Sequence, residues 1–349
     1  MLAQIFPPMP IPVVLYFSNA SQIITNDDPD SSTPQITDHL TRSLSVILTR
    51  FYPLAGRATG EGEFIDCNDA GVPFSVARFR GSTLAELLAT PRPDLLLPGG
   101  AVAMVQVNCF DCGGVAIGVV FWNKVVDATT KESVPAQLGS TADIVKIGKS
   151  VVRRYRSIFR HRKVDVCILR LHHVIKSKAS DVADPTELVS ALMWKCFMSA
   201  SHANGKSTSF LTQTIDLRRR SPRNASATPG ARGRHVAKMR ESAAKIDGGY
   251  VDRMRGDGGL MGYYENLRRV WIEYSEEFDV LPISSLCGGG VYGVDFGWGK
   301  PAWFCKCDGG GEAEVWNRVW LNDTRNGDGI EAWVILEEEY MKVLNELRI

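Results

Sequence analysis

Apolar residues recur along this chain with two different periods. Residues 11–17, IPVVLYF, form a β-branched and aromatic run that predicts a buried strand. After the polar stretch NDDPDSS, Ile36, Leu40, Leu44, Ile47, Leu48 and Phe51 return at helical spacing. Thr33 and Pro34 supply the N-cap and first-turn proline of that helix, and Pro53, within FYPLAGR at 51–57, ends it. From residue 101 the period becomes that of strands. AVAMVQVNCF and VAIGVVFW flank Asp111-Cys112-Gly113-Gly114 and predict a β-hairpin. The second of these strands is apolar on both faces, as a central strand is. It ends at Trp122, so Asn123 to Asp127 fall in a strand-end loop, where α/β proteins commonly place chemistry.

The second half of the chain alternates in the same way. Asp184-Pro185-Thr186-Glu187 reads as a helix start with cap, proline and an acidic third position. Leu188, Val189, Leu192, Met193, Cys196 and Phe197 make its apolar stripe. QTIDL at 213–217 predicts a strand running into Arg218-Arg219-Arg220. EVWNRVWLND and GIEAWVIL bracket TRNGDG as a second hairpin, and EEEYMKVLNEL closes the chain as a helix. Mixed strands and helices predict an α/β (α+β) protein of two halves. The expected division is 1–165 for the N-terminal half, 166–183 for a connector and 184–349 for the C-terminal half.

Composition narrows the classes. A chain of 349 residues, 44% hydrophobic, is long enough for two cores. Forty basic residues against thirty-nine acidic leave a net charge of +1, which speaks against a nucleic-acid binder. The basic run RRYRSIFRHRK at 153–163 is then a solvated face, with attraction of anionic phosphates as its functional alternative. No apolar run approaches the length that crosses a bilayer, and the N-terminus lacks a basic signal region. The eight cysteines are therefore expected reduced in the cytoplasm, and the sequons at Asn19, Asn224 and Asn322 are chance matches. Cys109-x-x-Cys112 and Cys305-x-Cys307 do not make a zinc site, because four ligands at workable spacing are missing.

FYPLAGR, the loop NKVVD (123–127), TIDLRRR (214–220), VDFGWGKP (294–301) and WLNDTRNGDGIEAWV (320–334) together resemble the plant BAHD acyltransferases, in particular the vinorine-synthase-like group. The resemblance runs in blocks through most of the chain, and VDFGWGKP is its most specific element. It implies a two-domain fold like that of chloramphenicol acetyltransferase, with a channel for acyl-CoA and an alcohol acceptor. In the family a His-x-x-x-Asp motif is catalytic: the histidine deprotonates the acceptor hydroxyl, which attacks the thioester carbonyl and expels CoA. The resemblance implies that Asp127 is the shape-holding aspartate and Arg218 its ion-pair partner. It assigns Asp295, Phe296, Gly297, Trp298 and Gly299 to a structural loop on the CoA side, in the C-terminal half. It implies a monomer, acyl-CoA as cosubstrate and no metal or other cofactor. The partners are the acyl-CoA and a small-molecule alcohol of specialised metabolism such as an alkaloid, without nucleic acid or membrane.

This chain departs from the family at the base. Asn123 stands where the motif has histidine. A carboxamide can orient a hydroxyl but cannot take its proton, so the loop implies a weak or inactive acyltransferase. His172 and His173 lack an aspartate at the matching offset and do not replace it. The second reading is a non-catalytic binding protein of the same family. The third is a truncated product, since the chain is shorter than family members and Ala128 stands where a glycine is expected.

Overall fold

The structure is a computed structural model that describes residues 10–18, 29–59, 64–81, 102–122, 164–172, 184–213, 234–255, 262, 278–306 and 317–347. The chain divides into two units, residues 1–140 with 290–313, and residues 141–289 with 314–349.

The first unit is built on the two-faced apolar run at its start. Strand β1 (Pro10–Phe17) lies inside the sheet. The hairpin forms as its glycine-containing turn dictates, from β5 (Ala103–Phe110) and β6 (Val115–Trp122). Gly113, at φ 83°, turns the chain between them and donates to the Phe110 carbonyl at 2.9 Å. With β4 (Phe74–Phe79) parallel to β5, and β10 (Trp303–Lys306) antiparallel to β1, the sheet order is β10-β1-β6-β5-β4. Strand β6 is thus central, between β1 and β5, as its apolarity on both faces requires.

Helix α1 (Pro29–Arg50) starts earlier than its Thr33-Pro34 signal, so Pro34 falls inside it. Position 29 is itself a proline, and its fixed φ suits the first helical position. Ile36 and Leu40 are buried with Phe17, Val107, Cys109, Val115 and Ile117. The stripe loosens downstream, and Ile47 is 47% exposed. After Arg50 the chain tightens into a 3₁₀ turn at Tyr52–Ala55, where Pro53 can no longer extend the helix.

The FYPLAGR segment then locks a small ribbon, β2 (Arg57–Thr59) with β3 (Phe64–Asp66). Arg57 donates to the carbonyls of Gly71 at 2.6 Å and Ala70 at 3.1 Å. Gly56 is required by space, since a Cβ there would lie 2.5 Å from the Asp66 carbonyl oxygen and 2.8 Å from Ile65 Cγ2. Gly56→Ala is expected to cost about 1–3 kcal/mol, as overpacking does. Thermal melting of the purified variant checks it, and an unchanged transition would refute the crowding.

The second unit has its own sheet, ordered β7-β12-β11-β9-β8. Its strands are β7 (Val164–His172), β8 (Thr208–Gln213), β9 (Phe278–Ser285), β11 (Arg318–Asp323) and β12 (Gly329–Glu337). The TRNGDG hairpin joins β11 to β12, and β8, β9 and β11 run parallel. Helix α2 (Pro185–Ala203) is capped by Asp184, which accepts from the Thr186 amide at 2.7 Å. Glu187 does not close a capping box. It accepts a two-pronged bond from Arg240 of α3 (Arg234–Ala244), at 2.6–3.1 Å, and that bond holds the guanidinium pKa above its ordinary value. Helix α4 (Gly248–Arg255) follows, and α5 (Glu338–Glu346) closes the chain. Val189, Met193, Cys196 and Phe197 of α2 and Tyr340, Met341 and Leu344 of α5 cover one face of this sheet.

Two expected boundaries are corrected. Residues 166–172 of the expected connector belong to β7, whose residues 164–172 pair along the whole of β12. The DFGWG segment, expected in the C-terminal half, belongs to the first unit. The physical reason is the pairing of β10 with β1, which ties residues 303–306 to residues 13–16. Of the expected QTIDL strand, Gln213 closes β8, and residues 214–217 lie outside the described residues.

Candidate active site

The candidate loop at 123–127 follows β6 in the sequence. Trp122, the last residue of β6, pairs with Pro10 across the ladder, and its amide donates to the Val102 carbonyl at 2.9 Å. The end of the strand is therefore fixed on both sides, and residue 123 follows directly from it. Asn123, Asp127 and Arg218 themselves lie outside the described residues.

The DFGWG segment is described in full. The Asp295 carboxylate accepts from the Gly297 amide at 2.8 Å and the Gly299 amide at 3.0 Å. Both glycines take positive φ, 95° and 97°, which a side chain at either position would oppose. The aspartate thus folds the loop around itself. Phe296 and Trp298 point into the apolar cluster beneath α1. Trp298 is 4% exposed and meets Phe17, Phe296 and His39 at ring-centre distances of 6.2, 5.5 and 5.6 Å. The segment thereby joins α1 to β1, two elements that precede it by more than 240 residues.

The face of the first sheet opposite this cluster carries a polar pair, one member buried and the other half-buried. Asn108, fully buried on β5, donates to the Ala116 carbonyl at 3.1 Å and accepts from Gln106 at 2.7 Å. This pair escaped the sequence reading because AVAMVQVNCF is dominated by its apolar alternation. In the second unit, Asp279 accepts from Ser201 of α2 at 2.5 Å and from Tyr340 of α5 at 2.8 Å, fastening both helices to β9. Both networks are spent on holding the fold.

Among the described residues no group of histidine, cysteine and carboxylate side chains is arranged to hold a metal ion. Cys109 is buried in the first core while Cys112 is exposed on the hairpin turn. Among the described residues no helix is long and apolar enough to cross a membrane. Asn322 is buried within β11, out of reach of a glycosylating enzyme. Burial pushes the Cys287 thiol up to about 12, more than its hydrogen bond with Ser285 offsets, and the nearby Asp323 carboxylate adds to the rise. Cys287 stays a neutral thiol at pH 8, whereas Cys67 and Cys112 are exposed. Iodoacetamide at that pH is expected to label Cys67 and Cys112 well before Cys287, read by peptide mass spectrometry; equal labelling would contradict the burial.

Comparison with known proteins agrees with the motifs. A sequence model described as the Transferase family matches residues 14–163 and 232–347. Stemmadenine O-acetyltransferase of Catharanthus roseus is 30% identical over 96% of this chain and 88% of its own length. Vinorine synthase of Rauvolfia serpentina is 29% identical over 96% of this chain and 87% of its own. Among solved structures, vinorine synthase superposes with a TM-score of 0.67 at 23% identity, covering 98% of this chain and 90% of that one. TRI101 of F. sporotrichioides, solved with coenzyme A and T-2, gives 0.65 at 15% identity, over 98% of this chain and 95% of that one. These likenesses establish the CoA-dependent acyltransferase fold. Family motifs, family model and full-length relatives converge: this chain belongs to the BAHD acyltransferases, acyl-transferring enzymes, and within them to the vinorine-synthase-like group.

Proposed function

We propose that this chain transfers an acyl group, acetyl by preference, from acyl-CoA to the hydroxyl of a specialised metabolite of alkaloid type. Its turnover is slowed by Asn123. The observation that carries this reading is NKVVD directly after the central strand β6, in a chain 30% identical to an O-acetyltransferase. In the reaction, the acceptor oxygen attacks the thioester carbonyl and the carbon–sulfur bond breaks. CoA leaves as the thiolate and takes up the proton that the hydroxyl releases. The Asn123 carboxamide oxygen accepts a hydrogen bond from that hydroxyl and aims it, but leaves the proton to solvent or to the departing sulfur. Asp127 holds the loop through an ion pair with Arg218, away from the reacting atoms. Asp295 to Gly299 support the CoA side from within the first unit, consistent with the packing of Phe296 and Trp298. The enzyme acts as a cytoplasmic monomer, with acyl-CoA as cosubstrate and no other cofactor.

CoA release from acetyl-CoA, with stemmadenine and a panel of other alcohols, tests this. Slow release that depends on an alcohol and falls further in Asn123→Ala supports transfer at this loop. Robust release untouched by Asn123→Ala would remove the site from the loop. The asparagine also favours a second reading, a binder of the same ligands without chemistry. Saturable binding of coenzyme A with no release at any alcohol would select it.

A further inference from the structure

The sheet of the second unit has two unlike faces. Toward one, Val319 and Leu321 of β11 and Ile330, Ala332, Val334 and Leu336 of β12 enter the core beneath α2 and α5. Toward the other, strand alternation sends Arg318, Trp320 and Asn322 of β11, opposite Ile335, Trp333 and Glu331 of β12. A sheet covered by helices on one face normally keeps its other face wet. This one is largely dry: Asn322 is 2% exposed, Glu331 4% and Trp333 6%, while Arg318 and Trp320 are half-buried.

Of the side chains on that face, Asn322 is the one with both its donor and its acceptor atom unmatched. Neither its Nδ2 nor its Oδ1 has a hydrogen-bond partner, and both are shut off from solvent. Its register neighbour Glu331 is engaged elsewhere, so the cross-strand position does not satisfy it. A buried amide without partners bears the whole penalty of drying and recovers none of it, whereas leucine or methionine would fill the same volume at no such penalty. Polar groups of this kind are tolerated where an absent ligand completes them.

The geometry points to Asn322 as a ligand-binding residue: its carboxamide hydrogen-bonds a neutral group that both donates and accepts, bound against the Trp320–Trp333 face. One orphaned donor and one orphaned acceptor on the same amide match a hydroxyl or a secondary amide. An ionised group would match only one of the two. Two sources carry this chemistry, the hydroxyl-bearing acceptor and the amide-bearing pantetheine arm of CoA. The two indoles, directly opposite across the ladder, offer a flat apolar surface beside the amide. The proposal rests on the acyltransferase reading.

Asn322→Leu and Asn322→Met are the test, in the full chain, with coenzyme A and stemmadenine titrated separately by calorimetry and melting curves taken without ligand. Both variants are expected to melt no lower than the native chain, because the orphaned amide is gone. Affinity for one probe is expected to fall about ten- to hundredfold, the loss of two neutral hydrogen bonds. A fall confined to stemmadenine assigns the amide to the acceptor, and one confined to coenzyme A assigns it to the pantetheine arm. If both probes bind both variants within twofold of native, or if both variants melt lower, the assignment is overturned. Binding of coenzyme A with no effect of either variant removes only this assignment. A native chain that binds neither probe removes it together with the acyltransferase reading.

Discussion

Asn123→His is expected to raise acyl transfer by about 10²–10⁴, the usual contribution of a positioned general base. The expectation follows from what the substitution does and does not restore. Imidazole titrates near neutral pH, so a large share of it is free to accept the hydroxyl proton when attack occurs. The carboxamide at position 123 has no such basicity at any physiological pH. The strand that leads into position 123 is held on both sides. Strand β6 is held by β1 on one side and β5 on the other, its end is pinned at Trp122, and Asp127 keeps its spacing from position 123. The measurement is the initial rate of CoA release at saturating acetyl-CoA and alcohol. The pH profile adds a second check: the variant should gain a rising limb through the imidazole pKa that the native chain lacks. A rate within a few-fold of native would mean that the loop no longer presents position 123 to substrate.

The second large effect concerns stability. Trp298→Ala is expected to cost about 3–5 kcal/mol, the range for buried large aromatic side chains. It should lower the melting temperature by on the order of 10 °C. Trp298 is 4% exposed and shares its cluster with Phe17 and Val107 of two strands and with Ile36 and Leu40 of α1. Removing the indole therefore loosens a helix, a sheet face and a loop together. Circular dichroism melts decide it. A loss of CoA affinity at unchanged melting temperature would instead make Trp298 a ligand contact and the cluster incidental.

Strands and hairpins were legible in the sequence because their causes are local. Two glycines within Asp111–Gly114 and the Asn-Gly of TRNGDG make turns wherever they stand between alternating runs. Asp184 caps α2 as its Asp-Pro-Thr-Glu context announces. What failed was long-range. No periodicity within 294–306 says that its partner is β1, so the loop carrying Asp295 was placed in the wrong unit. The start of α1 was misplaced because Pro29 and Pro34 are both acceptable first-turn prolines. The reading of Asn123 at the base position rests on the motif alone, since residue 123 lies outside the described residues. The orphaned Asn322 was not legible, because burial of a strand's second face depends on what lies over it, which alternation alone does not report.

The return of β10 to β1 also sets the order of assembly during synthesis. Strand β1 leaves the ribosome about 290 residues ahead of its neighbour on the open side, Trp303–Lys306. At ~5–20 residues per second, that interval is roughly 15–60 s. Throughout it, Val13 to Tyr16 present an unpaired apolar strand edge to the cell, the kind of surface that recruits chaperones or aggregates. A message interrupted anywhere before Trp303 would release a first unit that cannot close its own sheet.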